Sequence, residues 1–160
     1  MKIGIFYATG KGDTQKVSEY ISLKLGGDVI AVKDAVSEDF TKFDVLILAS
    51  SSYGYAELHA DWVDKLAELK KADLKGKKVA LVGVGNQERH ADSFCGGIVD
   101  FLPAIKKATL IGHSVNNDYK FSHSPAFING KFIGLVLDTK GDSGYTSKID
   151  AWVEQLKTEV

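Results

Sequence analysis

Apolar runs alternate with helical periods along this chain. Lys2-Ile3-Gly4-Ile5-Phe6-Tyr7 reads as a first strand, and Val17, Tyr20, Ile21 and Leu25 then recur on one helical face. Val29-Ile30-Ala31-Val32 is a short second strand. Asp44-Val45-Leu46-Ile47-Leu48-Ala49 and Lys78-Val79-Ala80-Leu81-Val82-Gly83-Val84 are nearly unbroken apolar runs, the pattern of parallel strands covered on both faces. Between them Trp62, Leu66 and Leu69 keep helical spacing, with Asp61 and Glu68 on the wet side. Phe94, Ile98, Phe101, Leu102 and Ile105 predict a third helix, which Pro103 kinks or shortens. Ile149, Trp152, Val153 and Leu156 predict a fourth. The last strand is split: Thr109-Leu110-Ile111-Gly112 begins it and Phe132-Ile133-Gly134-Leu135-Val136-Leu137 resumes it. The intervening segment carries Tyr119 and Phe121 and ends in a small hairpin over residues 126–131, Ala-Phe-Ile-Asn-Gly-Lys.

Strand–helix alternation of this kind predicts a doubly wound α/β fold with right-handed crossovers. The 160 residues fit one domain over 1–160, without internal repeat, linker or low-complexity tract. Hydrophobic content of 44% and charged content of 26% are those of a soluble globular protein. No apolar stretch approaches the roughly 20 residues that span a bilayer, and a signal-peptide pattern is not read at the start, so a cytoplasmic location is expected. A formal net charge of −1 gives no bulk argument for nucleic acid or membrane binding. The single cysteine, Cys95, excludes an intrachain disulfide, and His59, His90, His113 and His123 lack metal-ligand spacing.

The first strand runs into Ala8-Thr9-Gly10-Lys11-Gly12-Asp13-Thr14, and a helix follows. Amides at a helix start have no partners within the helix, and the helix dipole favours an anion there. Gly10 and Gly12 let the chain turn with amides inward, and Thr9 and Thr14 add hydroxyl donors. The loop is not that of a nucleotide triphosphatase, whose lysine follows the second glycine directly, nor is it a GxGxxG fingerprint. On these residues alone, an ordinary strand-to-helix turn capped by Thr9 or Asp13 stays open. In a doubly wound sheet ligands collect above the carboxyl ends of the strands. Two more segments converge there: Ser50-Ser51-Ser52-Tyr53-Gly54-Tyr55-Ala56-Glu57, and residues 83–95, Gly83 through Asn86 and His90 to Cys95. Two loops bearing flat side chains beside a phosphate loop suggest a planar, phosphorylated ligand.

Taken together these segments resemble a flavodoxin of the long-chain type, over essentially the full chain. Thr9 to Thr14 is similar to the family's Thr-x-Thr-Gly-x-Thr phosphate loop, with Lys11 in place of the middle threonine. Glu57-Leu58 with Asp61-Trp62 resembles the stretch after the first flavin-flanking loop, and Gly83-Val84-Gly85-Asn86-Gln87 resembles the opening of the second. Asp118-Tyr119 and Gly130-Lys131-Phe132-Ile133-Gly134-Leu135 resemble the long-chain insertion and its return. The resemblance implies a five-stranded parallel sheet of order 2-1-3-4-5 with an insertion interrupting the last strand. It also implies noncovalent FMN, low-potential electron transfer, and transient docking of a monomer to a flavodoxin reductase and an acceptor enzyme. No catalytic or metal-binding residue of its own is implied.

By the same resemblance Thr9, Gly10, Lys11, Gly12, Asp13 and Thr14 would hold the phosphate, and Ser51 and Ser52 lie at the neighbouring strand end. Tyr53 would cover one flavin face, with Gly54, Tyr55 and Ala56 beside it. Gly54 either shapes a tight loop or lets the peptide after Tyr53 flip to meet the proton that singly reduced flavin gains, since a positive φ costs glycine little. Gly85, Asn86, His90, Ser93 and Cys95 would line the other side, Ser93 and Cys95 through their amides. Cys95 as a nucleophile has no support. Several departures from the family pattern stand out. Lys11 either pairs with the phosphate or points to solvent. Asn86 replaces an aspartate. His90 falls where many members stack a tyrosine, and it either stacks or leaves that face open. The near-neutral charge is unlike the family's strong acidity, although Glu57, Asp61, Asp64 and Glu68 leave an acidic face, while Lys70, Lys71, Lys75, Lys77 and Lys78 form a solvated cluster. Two functions are consistent with this: an electron carrier, and an FMN-dependent reductase of a small or planar substrate such as a quinone or tetrapyrrole.

Overall fold

The computed structural model describes residues 1–53, 56–115 and 118–160, with the Tyr53 side chain outside that description. Strands β1 (Ile3–Ala8), β2 (Asp28–Ala31), β3 (Val45–Tyr53), β5 (Lys78–Gly85) and β6 (Thr109–Ile111) form a sheet in the order β2-β1-β3-β5-β6. All these neighbours are parallel. That is the expected order 2-1-3-4-5, with β5 as the fourth parallel strand in sequence. A further strand, β9 (Leu135–Asp138), pairs parallel with β5 beyond β6, so the fifth position is shared by two pieces.

The unbroken apolar runs exist because alternate residues face opposite layers. Phe6, Leu46, Leu48, Val79 and Leu81 point to one layer, where they meet Phe40, Trp62, Leu69, Phe94, Ile98 and Phe101. Ile5, Val45, Ile47, Ala80 and Val82 point to the other, against Val17 and Ile21 of α1 (Asp13–Leu25) and Ile149, Trp152, Val153 and Leu156 of α4 (Tyr145–Glu159). Each layer is centred on a buried tryptophan whose indole N–H has a carbonyl partner: Trp62 donates to Ala49 O and Trp152 to Gly112 O, both at 2.9 Å. Without those bonds a buried indole would carry an unmet donor. Trp62 itself sits in α3 (Ala60–Lys71), edge-on to Phe101 at 4.8 Å.

The structure departs from the sequence reading in several places. The third helical pattern forms a 3-10 helix, Gly96–Ala104, rather than an α-helix beginning at Phe94. Gly96 and Gly97 open it with the poorest helix propensity short of proline, and Pro103 removes a donor near its end. The third strand runs on through Ser50 to Tyr53 because a two-residue strand, β4 (Glu57–Leu58), turns back to pair antiparallel with Ser52 and Tyr53. A short helix, α2 (Ser37–Thr41), and a 3-10 turn, Val32–Asp34, fill the connection after β2, so Val32 leaves the strand. β6 stops at Ile111 because Gly112 turns with φ 78°. Phe132 belongs to the hairpin β7 (Phe127–Ile128) and β8 (Lys131–Phe132), not to the resumed strand. Its turn residues, Asn129 and Gly130, both have positive φ (53° and 80°), the requirement of a two-residue hairpin whose twist matches its strands.

Candidate functional site

The carboxyl ends of β1, β3, β5 and β9 surround a cavity of about 630 Å³ lined by residues from all four. Thr9, Gly10, Lys11, Asp13 and Thr14 come from the β1–α1 loop, and Ser51 and Ser52 from β3. Val84, Gly85, Asn86, Arg89 and His90 come from β5 and its loop, and Thr139 and Lys140 follow β9.

The β1–α1 loop is built for an anion. The Gly12 amide donates to Thr9 Oγ1 (2.9 Å), and Gly12 adopts φ 96°, a conformation strained for any residue with a Cβ. That turn starts α1 directly at Asp13, and its first amides face outward from the helix end. Thr14 is only 1% exposed, yet its hydroxyl has no partner among the described residues. Ser51 Oγ across the cavity is likewise buried and unpartnered. Buried polar groups are almost always satisfied, so two orphans lining one cavity mark the place where a ligand's acceptors fit. Ser52 Oγ differs from both, because it accepts the Gly97 amide (3.3 Å), tying the 3-10 helix to β3 while keeping its own proton to donate.

The second loop is held from beneath by Asp138, a fully buried carboxylate at the end of β9. Its Oδ2 accepts the Gln87 amide (3.3 Å), and its Oδ1 accepts the amides of Lys140 (3.1 Å) and Gly141 (2.8 Å). The Asp138 amide donates to Tyr119 Oη (3.1 Å), whose proton goes to Asp142 Oδ2 (2.7 Å). Lys148 pairs with Asp142 (2.8 Å) and Asp118 (3.0 Å) and lies over the Tyr119 ring at 4.7 Å. Burial works against the Asp142 carboxylate, but its bonds to Lys148 and Tyr119 outweigh that and hold it below its usual range. The insertion thus braces the site: Lys120 N also donates to Gln87 Oε1 at 2.6 Å. Above this base Asn86 Oδ1 caps the turn, accepting the amides of Glu88 (3.0 Å) and Arg89 (2.9 Å). Asn86 is therefore a turn organiser. His90 is half-buried on the cavity wall, its amide donating to Asn86 O (2.9 Å).

Of the expected residues, Thr9, Gly10, Lys11, Asp13, Thr14, Ser51, Ser52, Gly85, Asn86 and His90 line the one cavity. Gly12 shapes its loop without lining it. Ser93 and Cys95 lie behind the wall, both 1% exposed. The Ser93 amide is taken by His90 O (3.2 Å), and Cys95 Sγ packs where a Cβ on Gly85 would come within 2.9 Å. Burial pushes the Cys95 thiol far up, against the weaker pull of the Leu137 backbone, so it stays a neutral packing group. Ala56 is half-buried with φ 55° and lies against Gly96 rather than in the lining. Gly54, Tyr55 and the Tyr53 side chain lie outside the described residues. Val84, Arg89, Thr139 and Lys140 are additional lining residues. The rule that ligands gather above strand carboxyl ends, applied to the last strand as well as the first, points to Thr139 and Lys140.

Among the described residues no group of three or more His, Cys, Asp or Glu side chains could hold a metal ion, and no helix is long and apolar enough to cross a membrane. A family model described as a flavodoxin domain matches residues 4–109. Over 158 residues the chain is 35% identical to a flavodoxin of Helicobacter pylori, covering 98% of this chain and 96% of that one. It is 37% identical over 164 residues to a Nostoc flavodoxin, covering 99% and 96%. The crystal structure of Fusobacterium nucleatum flavodoxin bound to flavin mononucleotide superposes with a TM-score of 0.90 at 35% identity, covering 99% of this chain and 98% of that one. Sheet order, phosphate loop and full-length similarity agree, and the chain belongs to the flavodoxin family.

Proposed function

We propose that this protein carries FMN and transfers electrons between a flavodoxin reductase or similar donor and an acceptor enzyme. On this reading it is a cytoplasmic single-domain monomer that docks transiently. The observation that carries this reading is the pair of buried, unpartnered hydroxyls, Thr14 Oγ1 and Ser51 Oγ, beside the free amides at the start of α1. FMN ends in a phosphate dianion, and those donors suit it. The cavity, about 630 Å³, falls within the range of about 300–1,000 Å³ of small-molecule sites. Three cations, Lys11, Arg89 and Lys140, line it against one carboxylate, Asp13, which favours a dianionic ligand.

Bound FMN supplies the one-electron chemistry; the protein supplies position and electrostatics. Thr9, Gly10, Lys11, Gly12, Asp13 and Thr14 hold the phosphate end. Ser51 and Ser52 present hydroxyls from β3. Gly85, Asn86 and His90 form one side of the ring site. His90 stands at the cavity wall.

Apoprotein mixed with FMN is expected to bind one equivalent, with the visible band changing as it does so, and to bind riboflavin much more weakly. In single-turnover mixing, the reduced form should pass one electron at a time to a one-electron acceptor. Absence of stoichiometric FMN binding would remove this reading. Rapid steady-state turnover with a quinone, exceeding exchange with a flavodoxin reductase, would instead favour a substrate reductase.

Lys11 is exposed and lines the phosphate end of the cavity. Replacing it with threonine should weaken FMN by about 1–2 kcal/mol, the scale of one charge-assisted bond, and less at high salt. Riboflavin binding should be nearly unchanged. Isothermal titration with both ligands checks this, and equal losses for the two would assign Lys11 to loop shape.

A further inference from the structure

Asp13 poses a problem for an anion site. A carboxylate in the first turn of α1 suits the helix dipole, but it stands where a phosphate is to bind, and like charges repel. The structure answers from the far end of the chain. Asp13 Oδ2 is 3.1 Å from Lys140 Nζ and accepts the Thr139 hydroxyl at 3.2 Å. Both partners come from the loop that follows β9, and their backbone is fixed: the Lys140 and Gly141 amides bond to the buried Asp138 carboxylate. Lys140 lines the same cavity as Thr9, Lys11 and the unpartnered Thr14 hydroxyl. Its ammonium has three donors, and Asp13 engages one.

We propose that Lys140 is a phosphate-binding residue of the cofactor site, aimed by Asp13, so that the last strand supplies a second lysine to a loop otherwise built by the first. Lys140 donates to a phosphate oxygen while Asp13 positions it, and the ion pair offsets the Asp13 charge that would otherwise repel a dianion. Asp13 is a positioning residue here, and Lys140 is the group that touches the ligand. The inference rests on the reading of the site as an FMN site, and it adds that recognition of the dianion depends on the end of β9.

The test is a double-mutant cycle on the full chain as apoprotein, titrated with FMN, riboflavin and inorganic phosphate. Lys140→Ala should weaken FMN about tenfold at low salt, because a charged bond is lost and Asp13 is left unpaired against the phosphate. Inorganic phosphate should weaken in parallel, and riboflavin should not change. Lys140→Arg should restore FMN affinity to within about twofold, which a merely structural lysine contact would not require. In the Asp13→Asn background, Lys140→Ala should cost less than it does in the parent. If the parent binds FMN and Lys140→Ala matches it, or if riboflavin weakens equally, the proposal is overturned while the FMN reading stands. If the parent fails to bind FMN, that reading falls, and the phosphate titrations alone decide whether Lys140 binds the anion.

Discussion

Replacing Asp138 with alanine is expected to lower the stability of the apoprotein by about 3 kcal/mol, the scale of several part-buried amides losing one shared carboxylate acceptor. Three amides, those of Gln87, Lys140 and Gly141, lose their acceptor at once, and Asp138 is fully buried. The damage is directional as well. Gln87 leads into the turn that carries Asn86, Arg89 and His90, and Lys140 reaches the phosphate loop, so both sides of the cavity loosen together. FMN affinity should fall by more than about tenfold, since misplacement of binding groups is added to the stability loss. Asp138→Asn keeps one acceptor oxygen and should lie between the parent and the alanine variant. Urea unfolding followed by tryptophan fluorescence gives the stability, and FMN titration the affinity. A loss under about 1 kcal/mol, the net value of one ordinary hydrogen bond, would mean that water replaces the carboxylate and that the loop does not depend on it.

Gly134→Ala and Gly97→Ala should both destabilise, but only one should disturb the site. A Cβ on Gly134 would meet Leu81 O at 2.2 Å and Leu81 C at 2.8 Å, backbone atoms in the middle of β5 that cannot step aside. About 3 kcal/mol is expected, the upper end for overpacking. A Cβ on Gly97 would lie 2.8 Å from the carbonyl C and O of Glu57 and 3.0 Å from the Leu58 amide. Those atoms belong to β4, which pairs with Ser52 and Tyr53 at the cavity edge. About 2 kcal/mol is expected there, with FMN affinity falling at least about fivefold in the folded protein, roughly 1 kcal/mol of misfit. Equal FMN affinities for the parent and Gly97→Ala, measured where both are folded, would uncouple β4 from the cofactor site.

Legibility in the sequence follows the reach of each signal. The parallel strands stand out because a strand buried on both faces must be apolar at every position, as Leu46, Ile47, Leu48 and Ala49 are. Helices α1, α3 and α4 are readable from periods of three and four, and the hairpin from Asn129-Gly130. The elements that escape a sequence reading are too short to show a period: β4 has two residues and α2 has five. The 3-10 helix carries a helical apolar pattern, but Gly96, Gly97 and Pro103 govern its hydrogen bonding, and periodicity does not register that. At the site, the phosphate loop is local and so visible. Its counterweight is not, because Asp13 and Lys140 are far apart in the chain and neither residue is unusual alone. Asp138 is hidden for a related reason: an aspartate closing a strand reads as solvent-facing, and only the fold shows it surrounded by amides.

The shared edge position of β6 and β9 has a consequence for how such a chain can change length. Residues 78–80 of β5 pair with β6 and residues 82–85 with β9, and Ala80 faces Ile111 while Val82 faces Leu135. One position, Leu81, separates the two ladders, and Gly134 presses against it. The chain therefore leaves the sheet edge and rejoins it almost in phase, as though a single strand had been opened and a detour spliced in. Because both flanks are clamped in register by β5, the excursion between them can grow, shrink or exchange its contents without slipping the side-chain alternation of the edge. Lengthening such a closed loop carries only a slowly rising entropic penalty. The edge thus behaves as a socket for modular segments, and the Tyr119–Lys148 brace is the contact that a replacement segment would have to reinvent.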